Sequence, residues 1–281
     1  MIIWIASYPK SGNTWVRALL SSYFFSKRGE FNFSLLSNID SFPSPRFFSH
    51  YEDLFSKPEE TSKYWITQQN EINKKKELLF LKTHSALCSV KGNNFTDKKN
   101  SLASIYIIRD PRNVITSLAH HYQMTKDEAL KFMLDKNRAI VSKDNNRYTG
   151  FQPLFSWEFN VNSWVNNKLF PVLIVRYEDL QKETFVTFKN IIDFINKITK
   201  SKKSLDNEKI KNCIESTKFE NMQKLEKEQG FVEAITKKNS SEKLKFFNLG
   251  EKNNYKNLLD KNFIQEMNDK FKPFLIKYKY E

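Results

Sequence analysis

The first twenty residues constrain the fold most. Ile2-Ile3-Trp4-Ile5-Ala6 is a short apolar run of strand type, Ser7-Tyr8-Pro9-Lys10-Ser11-Gly12-Asn13-Thr14 follows without a break, and Trp15-Val16-Arg17-Ala18-Leu19-Leu20 opens a helical pattern. Strand, small-residue turn, helix is the layout of an anion-binding loop, in which backbone N–H groups and the positive end of the helix face the ligand. Lys10 adds a point charge, and the Ser11 and Thr14 hydroxyls add neutral donors. In the ordinary nucleotide-triphosphate loop, G-x-x-x-x-G-K-[ST], the lysine follows the last glycine. Here Lys10 precedes Ser11-Gly12, so it reaches an anion from a different point. The plain structural alternative is a buried strand, a proline turn and an N-capped helix. A Lys-Ser-Gly turn alone would favour it; the whole run from Tyr8 to Trp15 weighs against it.

Three further apolar runs have strand character: 78–82, 103–108 and 172–176. Each leads into a helix or loop, with no internal repeat and no second domain. The expectation is therefore a single α/β domain over residues 1–281, a mainly parallel sheet flanked by helices, P-loop-like. Helices are predicted at 15–25, 114–122, 126–134 and 185–198, from Ile210 to about Glu215, and over 262–280 before a strand-like end. Residues 26–77, broken by Pro43, Pro45 and Pro58, read as irregular. Residues 91–101 and Asp144-Asn145-Asn146 read as loops, and 223–244 as a charged stretch without a clear element.

Chemistry-bearing residues recur at the ends of these strands, where open α/β sheets place their ligands. Leu81-Lys82-Thr83-His84 closes the second strand. A lone histidine is more often structural than catalytic, but His84 is one of only four and sits just past a strand end. An imidazole with an ordinary value near 6.5 suits proton removal near neutrality. Arg109-Asp110-Pro111-Arg112-Asn113 closes the third strand, and Ser117 lies eight residues beyond Arg109 on the following helix, sharing a face with Asn113. An arginine and a hydroxyl converging at a strand–helix corner make a phosphate site; the alternative is an Arg109 paired with Asp110.

The run Tyr8 to Trp15 closely resembles the 5′-phosphosulfate loop of the cytosolic-type sulfotransferases, which move a sulfuryl group from 3′-phosphoadenosine 5′-phosphosulfate (PAPS) to a hydroxyl or amine. Lys82-Thr83-His84 resembles that family's Lys-Thr-His segment, although Ser85-Ala86 stands where the family has Leu-Pro. The 109–117 run resembles its 3′-phosphate segment, Tyr177-Glu178-Asp179-Leu180 its Tyr-Glu-Asp-Leu segment, and Thr217-Lys218-Phe219 its Thr-x-Phe pattern. Ser156-Trp157 and Ser163-Trp164 resemble its paired Ser-Trp segment, with Asn160 where a histidine is frequent, and read as a core helix. The family's Arg-Lys-Gly-x-x-Gly-x-Trp-Lys loop is altered. Registered on Gly250, this chain has Asn248, Leu249, Asn253 and Tyr255 at the first, second, sixth and eighth positions, and keeps Gly250 and Lys256. Two cations of the 3′-phosphate clamp are thus lost, with Lys245, Lys252 and Lys256 as candidates to compensate.

By this resemblance Lys10 and Lys82 act on the transferring group and His84 is the general base. Ser11, Gly12, Asn13, Thr14, Trp15, Arg109, Ser117, Tyr177, Thr217, Phe219, Gly250 and Lys256 hold PAPS. Trp15, Tyr177 and Phe219 would enclose the adenine; Tyr177 could equally be a packing residue.

Composition narrows the partners. Net charge is +14, from 46 Lys+Arg against 32 Asp+Glu, which favours an anionic ligand without choosing one. Two cysteines form no bridge framework, no His/Cys cluster has metal-ligand spacing, and no apolar stretch has the length of a membrane span. Met1 leads straight into a core strand, so no signal peptide and a cytoplasmic location are expected. The expected partners are a small-molecule or glycan acceptor and, as an open option, a second copy in a homodimer, with no nucleic acid and no metal. Two alternatives stand beside sulfuryl transfer: a kinase-like P-loop enzyme, for which only Asp110 offers a metal ligand after a strand, and a non-catalytic anion- or nucleotide-binding protein.

Overall fold

The computed structural model describes the backbone of residues 1–48, 50–51, 56–75, 77–144 and 147–281. From the N-terminus, β1 (Ile2–Ser7) leads through the loop into α1 (Asn13–Phe25). A two-residue strand β2 (Asp40–Ser41) follows a 3-10 turn. Then come α2 (Trp65–Ile72), β3 (Leu79–Thr83), a two-residue hairpin of β4 (Ser89–Val90) and β5 (Asn93–Asn94), and β6 (Ser101–Ile108). The chain continues through α3 (Pro111–Tyr122), α4 (Lys126–Leu134), the ribbon β7 (Ala139–Asp144) and β8 (Arg147–Pro153), and α5 (Trp157–Val165). β9 (Val172–Arg176), α6 (Tyr177–Lys182), α7 (Thr184–Thr199), α8 (Asn207–Ser216), α9 (Phe219–Gln229), α10 (Tyr255–Leu258) and α11 (Lys261–Lys277) complete it.

The central sheet has five strands in the order β2-β3-β1-β6-β9, every neighbouring pair parallel. β1 is buried along its whole length, so alternate residues serve two cores. Ile2, Trp4 and Ala6 face a ring-rich layer with Trp157, Trp164 and Phe271. Ile3 and Ile5 face Val16 and Leu19 of α1 and Phe188, Ile191 and Ile192 of α7. A third, smaller cluster gathers Ala18, Phe31, Leu36, Met222, Phe231 and Ala234, with Phe33, Phe246 and Phe247 packed on it.

The four expected strands and the expected helices are present. The sheet has a fifth strand, the two-residue β2, and the described residues within 26–77 hold one α-helix, α2, whose Trp65 is fully buried. α3 starts at Pro111 rather than Val114, because the Asp110 side chain accepts from Arg112 N–H and caps it. Residues 278–281 form no strand; Lys279 O accepts from Arg176 instead. Asn145 and Asn146, expected in a loop, lie outside the described residues. Among the described residues no helix is long and apolar enough to cross a membrane.

Candidate active site

Parallel register sets the site. Ala6 stands opposite Thr83, Ser7 opposite Ile107, and Ile108 opposite Arg176. The residues that follow, the 8–12 loop, His84, Arg109 and Tyr177, therefore emerge side by side at the carboxyl edge of the sheet.

The loop is held in an unusual backbone state. Lys10 has φ 66° and Gly12 φ 97°, both left-handed. A lysine there carries strain of order 1–3 kcal/mol, which the surroundings must impose. Arg109 Nη1 donates to Lys10 O at 3.1 Å, and Asn13 Nδ2 donates to Ile5 O at 3.0 Å and to Ser7 Oγ at 3.2 Å. Gly12 is the N-cap of α1 and no side chain caps that end, so the Asn13 and Thr14 N–H groups remain available, while Trp15 N–H donates to Gly12 O at 3.1 Å. The Tyr177 ring lies so close to Gly12 that a Cβ there would come within 2.5 Å of it. The Arg109 guanidinium sits over the same ring, 4.0 Å from its centroid. Trp15 meets Tyr177 edge-on at 5.9 Å. Trp15 Nε1, Arg109 Nε, Ser11 Oγ and Asn13 Oδ1 are buried without hydrogen-bond partners. Trp15, Arg109 and Asn13 line one cavity, and polar groups orphaned there mark where a polar ligand would complete the structure.

That cavity measures about 570 Å³. Its wall includes Lys10, Gly12, Asn13, Thr14, Trp15, Lys82, His84, Arg109, Ser117, Tyr177, Thr217, Phe219 and Gly250. Two predicted residues stand apart. Ser11 is buried within the loop and Lys256 is exposed on α10, both outside the wall. Thr217 Oγ1 donates to Cys213 O at 2.7 Å, so its hydroxyl is engaged at the end of α8. Phe219 packs on Gly250, whose φ is 53° and where a Cβ would stand 2.7 Å from the ring.

His84 Nδ1 lies 2.8 Å from Ser7 O. A carbonyl only accepts, so the proton sits on Nδ1 and Nε2 carries the free lone pair. Asn160 Nδ2 donates to His84 O at 3.0 Å and fixes the backbone from α5, while Asn160 Oδ1 accepts from Tyr106. The ordinary histidine value expected from the sequence does not hold: burial, and then the charge of Lys82, push His84 down to about 3. Burial lowers Lys10 to about 7 and also lowers Lys82, against the pull of Glu233.

Glu233 and Arg17 are the residues sequence reasoning missed. Glu233 Oε1 accepts from Arg17 Nη1 at 2.5 Å and lies 3.7 Å from Lys82 Nζ; Glu233 Oε2 accepts from Thr14 Oγ1 at 3.1 Å. Burial alone would raise this carboxyl, but the charges of Lys82 and Arg17 outweigh it and hold it far below the usual range. Phe246 lies 3.9 Å from Lys10 Nζ. The only sequence signal for this contact was the pair Phe231 and Ala234 flanking Glu233 within a charged stretch.

Asn248, Leu249 and Glu251 also line the wall, as do Ser117 and His120 of α3. None of Lys245, Lys252 and Lys256 lines it. The loop is nevertheless docked firmly: Thr116 Oγ1 donates to Asn253 Oδ1 at 2.7 Å, Asn253 Nδ2 donates to Asn113 O at 2.9 Å, and Tyr255 N–H donates to Asn113 Oδ1 at 2.8 Å. Arg109 does not pair with Asp110, which is taken by Arg112 at 2.8 Å. Among the described residues no cluster of metal-ligating side chains is found.

Comparison with known proteins agrees with this layout. A curated relative, Sulfotransferase 2A6 of Rattus norvegicus, is 30% identical over 94 residues, 33% of this chain and 31% of its own length. The amine sulfotransferase of Oryctolagus cuniculus is 20% identical over 236 residues, 78% of this chain and 62% of its own. The chain thus spans less than two thirds of either relative. The crystal structure of mouse sulfotransferase SULT7A1 complexed with PAP shares the fold at TM-score 0.57 and 20% identity, covering 100% of this chain and 85% of that one. The sulfotransferase domain profile matches residues 2–279, so the chain belongs to the sulfotransferase family.

Proposed function

We propose that the cavity binds PAPS and that the protein transfers its sulfuryl group to a hydroxyl or amine of a small-molecule or glycan acceptor. The observation that carries this reading is the convergence of Lys10, Lys82 and His84 around the uncapped N-terminus of α1. Solved relatives complexed with PAP, the desulfated donor, support the same assignment.

Sulfuryl transfer requires a donor held in line with the acceptor and neutralisation of charge on the leaving group. In this reading the α1 amides and the Thr14 hydroxyl grip the 5′-phosphosulfate. Lys10 faces the bridging oxygen, where charge grows as the S–O bond breaks, and Lys82 orients the sulfuryl oxygens. His84 Nε2 takes the acceptor proton while Nδ1–H stays on Ser7 O. At about 3 the resting histidine is a weak base. The donor's negative charge would offset the Lys82 contribution to this lowering, while burial, the larger cause, remains. Trp15, Tyr177 and Phe219 enclose the adenine, and Arg109 with Ser117 receives the 3′-phosphate.

The altered loop at Asn248 and Leu249 favours a second reading, a non-catalytic nucleotide-binding protein. Two measurements separate them. Calorimetry is expected to show PAP binding much more tightly than adenosine 5′-phosphate; equal affinities would remove the 3′-phosphate site. In a PAPS-dependent assay with a panel of hydroxyl and amine acceptors, His84→Ala is expected to lose about 10²–10⁴ in rate. Full turnover by that variant would dismiss the base, and binding without transfer to any acceptor would favour the second reading.

A further inference from the structure

The carboxylate of Glu233 stands where an anionic ligand is wanted. It spans two groups from different elements: the Thr14 hydroxyl in the first turn of α1, and the Lys82 ammonium at the end of β3 beside His84. A strictly structural ion pair would need only Arg17, which already donates to it at 2.5 Å. The same chain segment covers the remaining loop cation, because Phe246 lies on Lys10. We infer that Glu233 is an internal stand-in for the anionic 5′ end of the donor, so that donor binding is an exchange of one anion for another. This rests on the donor reading above.

The segment is built to hold the carboxylate there and to release it. Phe231 and Ala234, on either side of Glu233, are buried in the small third cluster, where Phe231 meets Phe33 at 4.8 Å and Phe246 at 4.8 Å. Val232 between them is almost fully exposed, so the segment dips into the protein from the surface. Its hydrogen bonds run within itself and to neighbouring helices: the Glu226 carboxylate accepts from Phe246 N–H and Phe247 N–H, Thr236 bridges to Lys243, and at the end of α3 Gln123 Nε2 donates to Thr236 O at 3.1 Å while Gln123 Oε1 accepts from Lys238 N–H at 2.7 Å. None of these bonds is to a strand of the central sheet, so the segment can lift from the site without opening the sheet. Once displaced, Glu233 would leave Lys82 and Thr14 to the donor, whose oxygens can take over their hydrogen bonds.

The test compares wild type, Glu233→Gln and the charge-balanced Arg17→Met/Glu233→Gln, with PAP as probe. Losing the competing charge-assisted contacts is expected to tighten PAP about tenfold or more in calorimetry for either variant. Unchanged or weaker PAP binding in variants that unfold at the wild-type temperature overturns the inference. Wild-type protein gives an independent check should the variants fold poorly. Amides of 231–236 are expected to exchange hydrogen faster when PAP is added, and unchanged or slower exchange there overturns it. A wild type that binds no PAP overturns the donor reading itself and the inference with it, a result distinct from tight wild-type binding unaffected by Glu233.

Discussion

Lys10 is the residue whose state the fold changes most usefully. Burial lowers it to about 7, while in the unfolded chain it keeps the ordinary lysine value near 10.4. Between these values the unfolded chain binds the extra proton, so stability contributed through Lys10 rises with pH across that window and its burial cost is full below about 7. Ligand binding runs the other way. An anion against the ammonium raises its value again, so binding above about pH 7 requires a proton to be taken up. PAP calorimetry at pH 8.5 in two buffers of different ionisation heat is expected to show uptake approaching one proton, with affinity falling as pH climbs. Zero uptake would mean that Lys10 does not meet the anion. His84, at about 3, stays neutral throughout and contributes nothing to that uptake.

At the scale of elements, the cavity lining was legible wherever a candidate residue follows an apolar strand. Lys10, His84, Arg109 and Tyr177 each follow one, and parallel pairing then puts them together whatever the loops do. The rest had no periodic signal to read. β2 is two residues long and exists only through pairing with Leu81 and Lys82. The β7–β8 ribbon is hidden in a charged region, and Glu233 meets Arg17 across 216 residues of chain. The C-terminal loop shows the limit of motif reading in the other direction. It keeps its position on α3 through Asn253 and Tyr255, neither of which is the family's residue. Gly250 is the element's tight point, with φ 53° and the Phe219 ring against it. Gly250→Ala is expected to cost about 1–3 kcal/mol through left-handed strain and ring displacement. Because Phe219 is the displaced group, weaker PAP binding should accompany a modest loss of thermal stability; wild-type affinity would separate Phe219 from the nucleotide.

On the scale of the whole molecule, one sheet divides two cores of different character. One is dense in aromatic rings, and the other is mostly aliphatic. That division has an optical consequence. Of the five tryptophans, Trp4, Trp65, Trp157 and Trp164 are fully buried in the ring-rich core. Trp15 alone lines the cavity, beside Tyr177 and with an unpartnered indole N–H. Four indoles thus form a constant emission background, and the fifth reports occupancy. Titration with PAP should shift or quench the native fluorescence, and Trp15→Phe should abolish the change while leaving most of the emission. The protein carries its own spectroscopic probe at the place where its chemistry would occur.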